Sequence, residues 1–101
     1  MPLVKVHRKN QFADRLRAYE IIVDGEVKNI VRAGRTAEFY LPKGLHRIRL
    51  KIDWCGSREI EFNLGDDETA EFDCGNNTKL FLELFYVFFA RNDYLWLEKR
   101  T

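Results

Sequence analysis

His46, Ile48, Leu50, Ile52 and Trp54 share one parity along the chain, while Arg47, Arg49, Lys51 and Asp53 share the other. A two-residue period sends successive side chains to opposite sides of a strand, so His46–Trp54 predicts a strand with one buried face. Leu3–Arg8 alternates more weakly and predicts a first strand; Lys9 to Arg17 is polar, mixed and reads as a loop. Further strands are predicted at Ala18–Val23, Val27–Val31 and Thr36–Leu41. Asp24-Gly25 separates the first two and is a strong hairpin signal, because both residues tolerate positive φ. Ala33-Gly34-Arg35 and Pro42-Lys43-Gly44 supply the next turns. Glu59–Leu64 directs Ile60, Phe62 and Leu64 inward, and Thr69–Cys74 directs Ala70, Phe72 and Cys74 inward.

Turn signals recur about every 8–12 residues, the spacing of an antiparallel sandwich or barrel. The fold class predicted is therefore mainly β: an antiparallel β-sandwich of immunoglobulin-like type. Parity also predicts a register. With Cys55-Gly56-Ser57 as the turn, Trp54 faces Arg58, Ile52 faces Ile60, and Leu50 faces Phe62. Lys51 then stands opposite Glu61, and Arg49 opposite Asn63.

The chain has 101 residues, which makes one domain with a single core. Hydrophobic content of 46% and charged content of 33% argue against disorder. The net charge of +1 gives no reason to expect nucleic acid as a partner. Its distribution is less even: residues 1–51 carry 12 Lys/Arg against 5 Asp/Glu, and residues 52–101 carry 5 against 11. Basic strands paired with acidic ones explain this split better than a basic interaction face does. The stretch Met1–Arg8 lacks the apolar run of a secretory signal, and no run reaches the ~18 residues of a membrane-spanning helix. A cytoplasmic location is the expectation.

Tyr19-Glu20-Ile21-Ile22-Val23-Asp24-Gly25, then Gly34, then Leu41-Pro42-Lys43-Gly44-Leu45-His46-Arg47-Ile48 form an "iDG … G … lPpGxHxi" pattern. The pattern resembles PEGA-like domains, small bacterial and archaeal β-sandwich modules, over residues 18–74. Lys43 stands where that family often has Pro or Ala. The resemblance implies an accessory or interaction domain and carries over no catalytic residue.

Residue chemistry points the same way. Cys55 and Cys74 each end a predicted strand; strands separated by one neighbour in a sheet lie about 9–10 Å apart, too far for a disulfide. Free thiols are expected unless the two lie on opposing sheets. Neither cysteine, with His7 or His46, has the spacing of a zinc site, and no metal or other cofactor is expected. Asp66-Asp67-Glu68 lacks a calcium-loop spacing and reads as a solvated turn. Arg47, Arg49, Lys51 and Arg58 offer an anion site, but acidic residues on the neighbouring strand compete for them. No nucleophile elbow is present.

The segment after Cys74 is the anomaly. Residues 78–101 hold seven of the 14 aromatics, and Leu80–Ala90 carries one charge, Glu83. A helix there is apolar nearly all round, and a strand is apolar on both faces. Length favours a short helix over Lys79–Ala90, aromatic content favours a strand, and the helix is the reading adopted. Tyr94–Glu98 then makes a last strand, with Tyr94 and Trp96 on one face and Leu95 and Leu97 on the other. Either this apolar addition plugs one end of the core, or it leaves a patch that drives association. The expected function is a non-enzymatic interaction or structural module, a homodimer or a binder of another protein. Phe81, Phe85, Phe88, Phe89, Tyr94 and Trp96 are the candidate contact residues. Sugar binding on exposed Tyr40, Tyr94 or Trp96, and peripheral membrane contact, are the alternatives.

Overall fold

The structure is a computed structural model that describes residues 2–11, 16–52, 55–76 and 95–100. Among these residues nine strands run in chain order: β1 Leu3–Arg8, β2 Tyr19–Val23, β3 Glu26–Val31, β4 Thr36–Tyr40, β5 Gly44–Ile52, β6 Cys55–Gly56, β7 Ile60–Leu64, β8 Thr69–Asn76 and β9 Leu95–Lys99. They form two sheets that share one core, and no helix occurs among the described residues. One sheet has the order β4-β1-β8-β9. The other runs β3-β2-β5, with β6 and β7 both pairing with β5.

Strands β1, β5, β7 and β8 bury the parity their sequences prescribe, whereas β3 leaves Val27 and Ile30 exposed. Val4 and Val6 of β1, Ile48 and Leu50 of β5, and Phe72 and Cys74 of β8 are fully buried. Phe62 and Phe72 meet between the sheets edge to face, ring centroids 5.0 Å apart. Such a pair adds about 0.5–1.5 kcal/mol beyond the area it buries. The turn at Asp24-Gly25 has φ of 52° and 85°, and Val23 pairs directly with Glu26. Two positive φ values give this two-residue turn the twist that lets the flanking strands pair.

Antiparallel pairing dominates, as the turn spacing predicts, with one exception. Strand β1 lies inside its sheet, antiparallel to β4 and parallel to β8, from Leu3↔Thr69 to Arg8↔Cys74. A parallel pair needs a long crossover, and here the whole second sheet lies between the two strands in sequence.

The predicted turn at Cys55-Gly56-Ser57 is overturned. Ile52 pairs with Cys55 and Lys51 with Gly56, so Cys55 and Gly56 already belong to the returning strand. The Ser57 N–H donates to the Leu50 carbonyl at 3.0 Å, and the Leu50 N–H donates back to Ser57 Oγ at 2.9 Å. From Ile48↔Ile60 the even-sum parity holds, as predicted, but the register lies four residues away: His46 faces Phe62 and Arg47 faces Glu61. Arg58 and Glu59 together stand opposite Arg49, a β-bulge that reconciles the two registers. The predicted pairings Lys51–Glu61 and Arg49–Asn63 are therefore replaced by Arg47–Glu61 at 3.3 Å. Exposed pairs of this kind contribute about 0.2–1 kcal/mol.

Gly56 and Gly65 both read as turn glycines, and the fold separates them. A Cβ on Gly56 would lie 2.5 Å from the Leu50 carbonyl oxygen, whereas one on Gly65 meets nothing closer than 3.8 Å. Urea unfolding should therefore show Gly56→Ala losing about 1–3 kcal/mol and Gly65→Ala staying within about 0.5 kcal/mol of the wild type.

Candidate interaction site

The ends of β1, β3 and β8, and the starts of β2, β4 and β9, meet at one end of the sandwich. Arg8 closes β1 there with its side chain on the inner face, 4% exposed. Its guanidinium donates through Nη1 to the carbonyls of Arg17 and, at 3.0 Å, Val31. The Tyr19 ring lies beneath it, 3.5 Å from centroid to guanidinium carbon. A buried cation costs several kcal/mol unless its donors are satisfied, and these groups from the facing sheet satisfy them. Arg8 thus binds the loop before β2 and the end of β3 to the opposite sheet.

Gln11 does comparable work on β8. Its amide donates to the Asn76 carbonyl at 3.2 Å and accepts the Asn76 N–H at 2.8 Å, as a neighbouring strand would. The Asn76 side-chain amide reaches the Tyr19 hydroxyl at 3.5 Å. Beside it, Gly75 is covered by the Trp96 ring and by Gln11. The indole nitrogen lies 2.9 Å from where a Cβ would stand. Lys9 Nζ approaches the same ring at 5.8 Å from its centroid.

Trp96, the second residue of β9, is half-buried on the outer face, and Leu95 and Leu97 are buried on the inner one. Both faces are as the sequence predicts. The helix read over Lys79–Ala90, with Phe81, Phe85, Phe88, Phe89 and Tyr94, lies outside the described residues. Its anchorage does not: Asn76 and Leu95 are register partners in the antiparallel β8–β9 ladder. The apolar segment therefore leaves and re-enters the sheet at one point, this end of the sandwich. Tyr40 is 62% exposed, but it pairs with Leu3, at the far end of β1 from Arg8. Tyr40 and Trp96 are thus separated by roughly 16–20 Å of strand and make no common platform for a sugar.

At that far end, Asp24 and His46, both in the quoted pattern, are bonded. Nδ1 of His46 lies 2.7 Å from Asp24 Oδ2, and Nε2 lies 2.7 Å from the Pro42 carbonyl. Both partners accept, so the ring donates from both nitrogens as the imidazolium. The other Asp24 oxygen accepts the Arg47 N–H at 2.9 Å. Burial and nearby Lys28 push the His46 pKa down, but the Asp24 and Pro42 bonds outweigh them and the net shift is upward. The His46 bond, then the Arg47 N–H, hold Asp24 below its ordinary value.

The remaining candidates are occupied by structural contacts. His7 touches Thr36 Oγ1 at 2.8 Å and Glu71 Oε1 at 2.9 Å. Lys43 pairs with Asp66 at 3.4 Å, and Glu68 Oε1 accepts the Gly65 N–H at 2.9 Å. No three metal-ligating side chains converge among the described residues. Cys55 and Cys74 lie on strands of different sheets. Cys74 is a free buried thiol, its pKa pushed up to about 12 mainly by burial. Arg49, Ser57, Arg58 and Glu59 line an open depression at the bulge, where the Ser57 hydroxyl already donates to the Arg58 carbonyl. Among the described residues no helix is long and apolar enough to cross a membrane. No family model, curated protein or solved structure matches the chain.

Sequence reasoning missed Arg8 and Gln11. The signal for Arg8 was its shared parity with Val4 and Val6; Gln11 left no local signal.

Two outcomes follow from this chemistry. The raised His46 pKa contributes stability that is complete below about pH 6.5 and fades as pH rises through the folded value. The lowered Asp24 pKa contributes stability above about pH 3.8 that fades as pH falls through the folded value. The wild-type urea midpoint should drop between about pH 6 and about pH 8.5, and His46→Gln should flatten that drop. In a Cys55→Ala variant, Ellman's reagent should leave Cys74 unlabelled at about pH 8 until urea unfolds the chain.

Proposed function

We propose that this chain is a non-enzymatic interaction module that associates, with itself or with a protein partner, through residues 77–94. The observation that carries the reading is the Asn76↔Leu95 pairing. It makes the 18 residues between them an excursion from a β-hairpin, tethered at both ends to a fixed edge of the sandwich. Six of the 14 aromatics of the chain fall in that excursion, and five of them lie between Phe81 and Phe89. Buried aromatics dominate the energy of association, and each contributes about 1.5–3 kcal/mol when removed from water. Phe81, Phe85, Phe88 and Phe89 are the proposed anchors, with Tyr94 and Trp96 at the base.

Non-enzymatic character is part of the same proposal. It is supported by the engagement of His7, His46 and Ser57 in structural hydrogen bonds and by the high pKa of the Cys74 thiol. The likeness to PEGA-like, immunoglobulin-like modules belongs to it too, and it rests on the sequence pattern from Tyr19 to Ile48.

Sedimentation equilibrium tests the reading. The wild type should self-associate, or should form a defined complex with a partner isolated with it. Phe85→Asp/Phe88→Asp should weaken that association by about a hundredfold or more, with the unfolding midpoint retained. A wild type that stays monomeric to millimolar concentration and forms no such complex overturns it.

A further inference from the structure

The end of the sandwich that holds the excursion is also basic. Lys9, Arg17, Arg32 and Arg35 are exposed there. The described residues of 8–11, 16–19, 31–36, 74–76 and 95–97 include no Asp or Glu. Residues 12–15 add one of each sign, Asp14 and Arg15, and so does the end of β5, with Lys51 and the following Asp53. These segments are contiguous. Arg8 bonds to Arg17 and Val31, Asn10 packs 3.3 Å from the Cβ position of Gly34, and Gln11 holds Asn76. Among these cations Leu16 is 88% exposed, the most exposed large apolar side chain described. Residues 77–94 add no net charge to this end, with Lys79 and Arg91 against Glu83 and Asp93. The opposite end is acidic, with Asp24, Glu26, Asp66, Asp67 and Glu68 against Lys43 and Lys28. Strand β5 separates the two ends by roughly 30 Å, several times the ~8 Å screening length at physiological salt, so the acidic end does not cancel the basic one.

We infer that the basic end docks on an anionic phospholipid surface. Lys9, Arg32 and Arg35 face the headgroups, and Leu16 enters the headgroup–acyl boundary. The mixture of charge and exposed aliphatic surface selects this occupant. Acyl chains reward an immersed Leu, whereas a phosphodiester backbone offers it nothing. This inference rests on the proposed function only for where residues 77–94 depart; its cations and Leu16 are described side chains.

Co-sedimentation with vesicles of phosphatidylcholine alone, and of phosphatidylcholine with about a third phosphatidylglycerol, tests it. The wild type should bind the anionic vesicles, bind the neutral ones far more weakly, and release with added salt. Arg32→Ala/Arg35→Ala should weaken binding about fivefold per charge, roughly 25-fold for the pair, while its unfolding midpoint and its sedimentation without vesicles stay those of the wild type. Leu16→Gln should weaken vesicle binding several-fold while its unfolding midpoint stays that of the wild type. Equal binding to both vesicles, binding to neither, or anionic binding insensitive to Arg32 and Arg35 overturns the lipid surface. Heparin or duplex DNA bound without vesicles assigns the basic end to a soluble polyanion instead. Sedimentation without vesicles reports separately on the proposed self-association, so either idea can fail while the other stands.

Discussion

A guanidinium buried between two sheets is the interaction on which this architecture depends. Arg8 ends the strand that lies inside its sheet, between β4 and β8. Its donors are met by the carbonyls of Arg17 and Val31 and its face by the Tyr19 ring, all on the facing sheet or the loop that leads to it. Removing any of these leaves a charge in a poorly solvated place, which costs more than an ordinary lost hydrogen bond. The arrangement is therefore mutually enforced. Strand β1 must run parallel to β8 for Arg8 to reach this end, and the loops before β2 and after β3 must turn their carbonyls inward to receive it.

The far end repeats the device with a different cation. His46 lies on the inner face of β5, held by Asp24 and the Pro42 carbonyl, its ring 5.9 Å from that of Phe62. Two sheets with apolar inner faces thus finish in a cation at each end, bonded to backbone carbonyls and set against an aromatic ring. Cross-strand pairs such as Lys5–Glu38 and Arg47–Glu61 account for part of the uneven charge distribution. The rest is longitudinal, because the turns at one end are acidic and those at the other are basic. Cross-strand pairing alone does not predict that polarity.

Local features were legible in the sequence and non-local ones were not. Asp24-Gly25 encodes its own turn, and the alternation in β5, β7 and β8 encodes which side chains go inward. Cys55-Gly56-Ser57 misled because its glycine answers a different need. Gly56 lets the backbone approach the Leu50 carbonyl from within the returning strand. The bulge opposite Arg49 then shifts the ladder, so parity survived while register did not. Nothing local announces that β1 pairs with β8 across more than sixty residues of intervening chain, or that Gln11 imitates a strand beside Asn76. Arg8 was readable only from its parity, which its charge argued against. At the candidate site, Trp96 was placed on the correct face, but the basic rim was hidden by a net charge near neutrality.

The β8–β9 ladder must also close an 18-residue connection. Loop closure of that length costs about 2.6 kcal/mol beyond the constant for a short loop. Leu95 and Leu97 are buried in the core and each return about 1.5–3 kcal/mol. Gln11 then fixes Asn76 on the side that β9 does not, and Arg100 grips Asp73 with two bonds of 2.8 Å near the other end of the ladder. The hairpin is thus held by its stem, with contacts that owe nothing to residues 77–94. A connection freed from closing its own hairpin can carry side chains chosen for another surface, and this one carries rings.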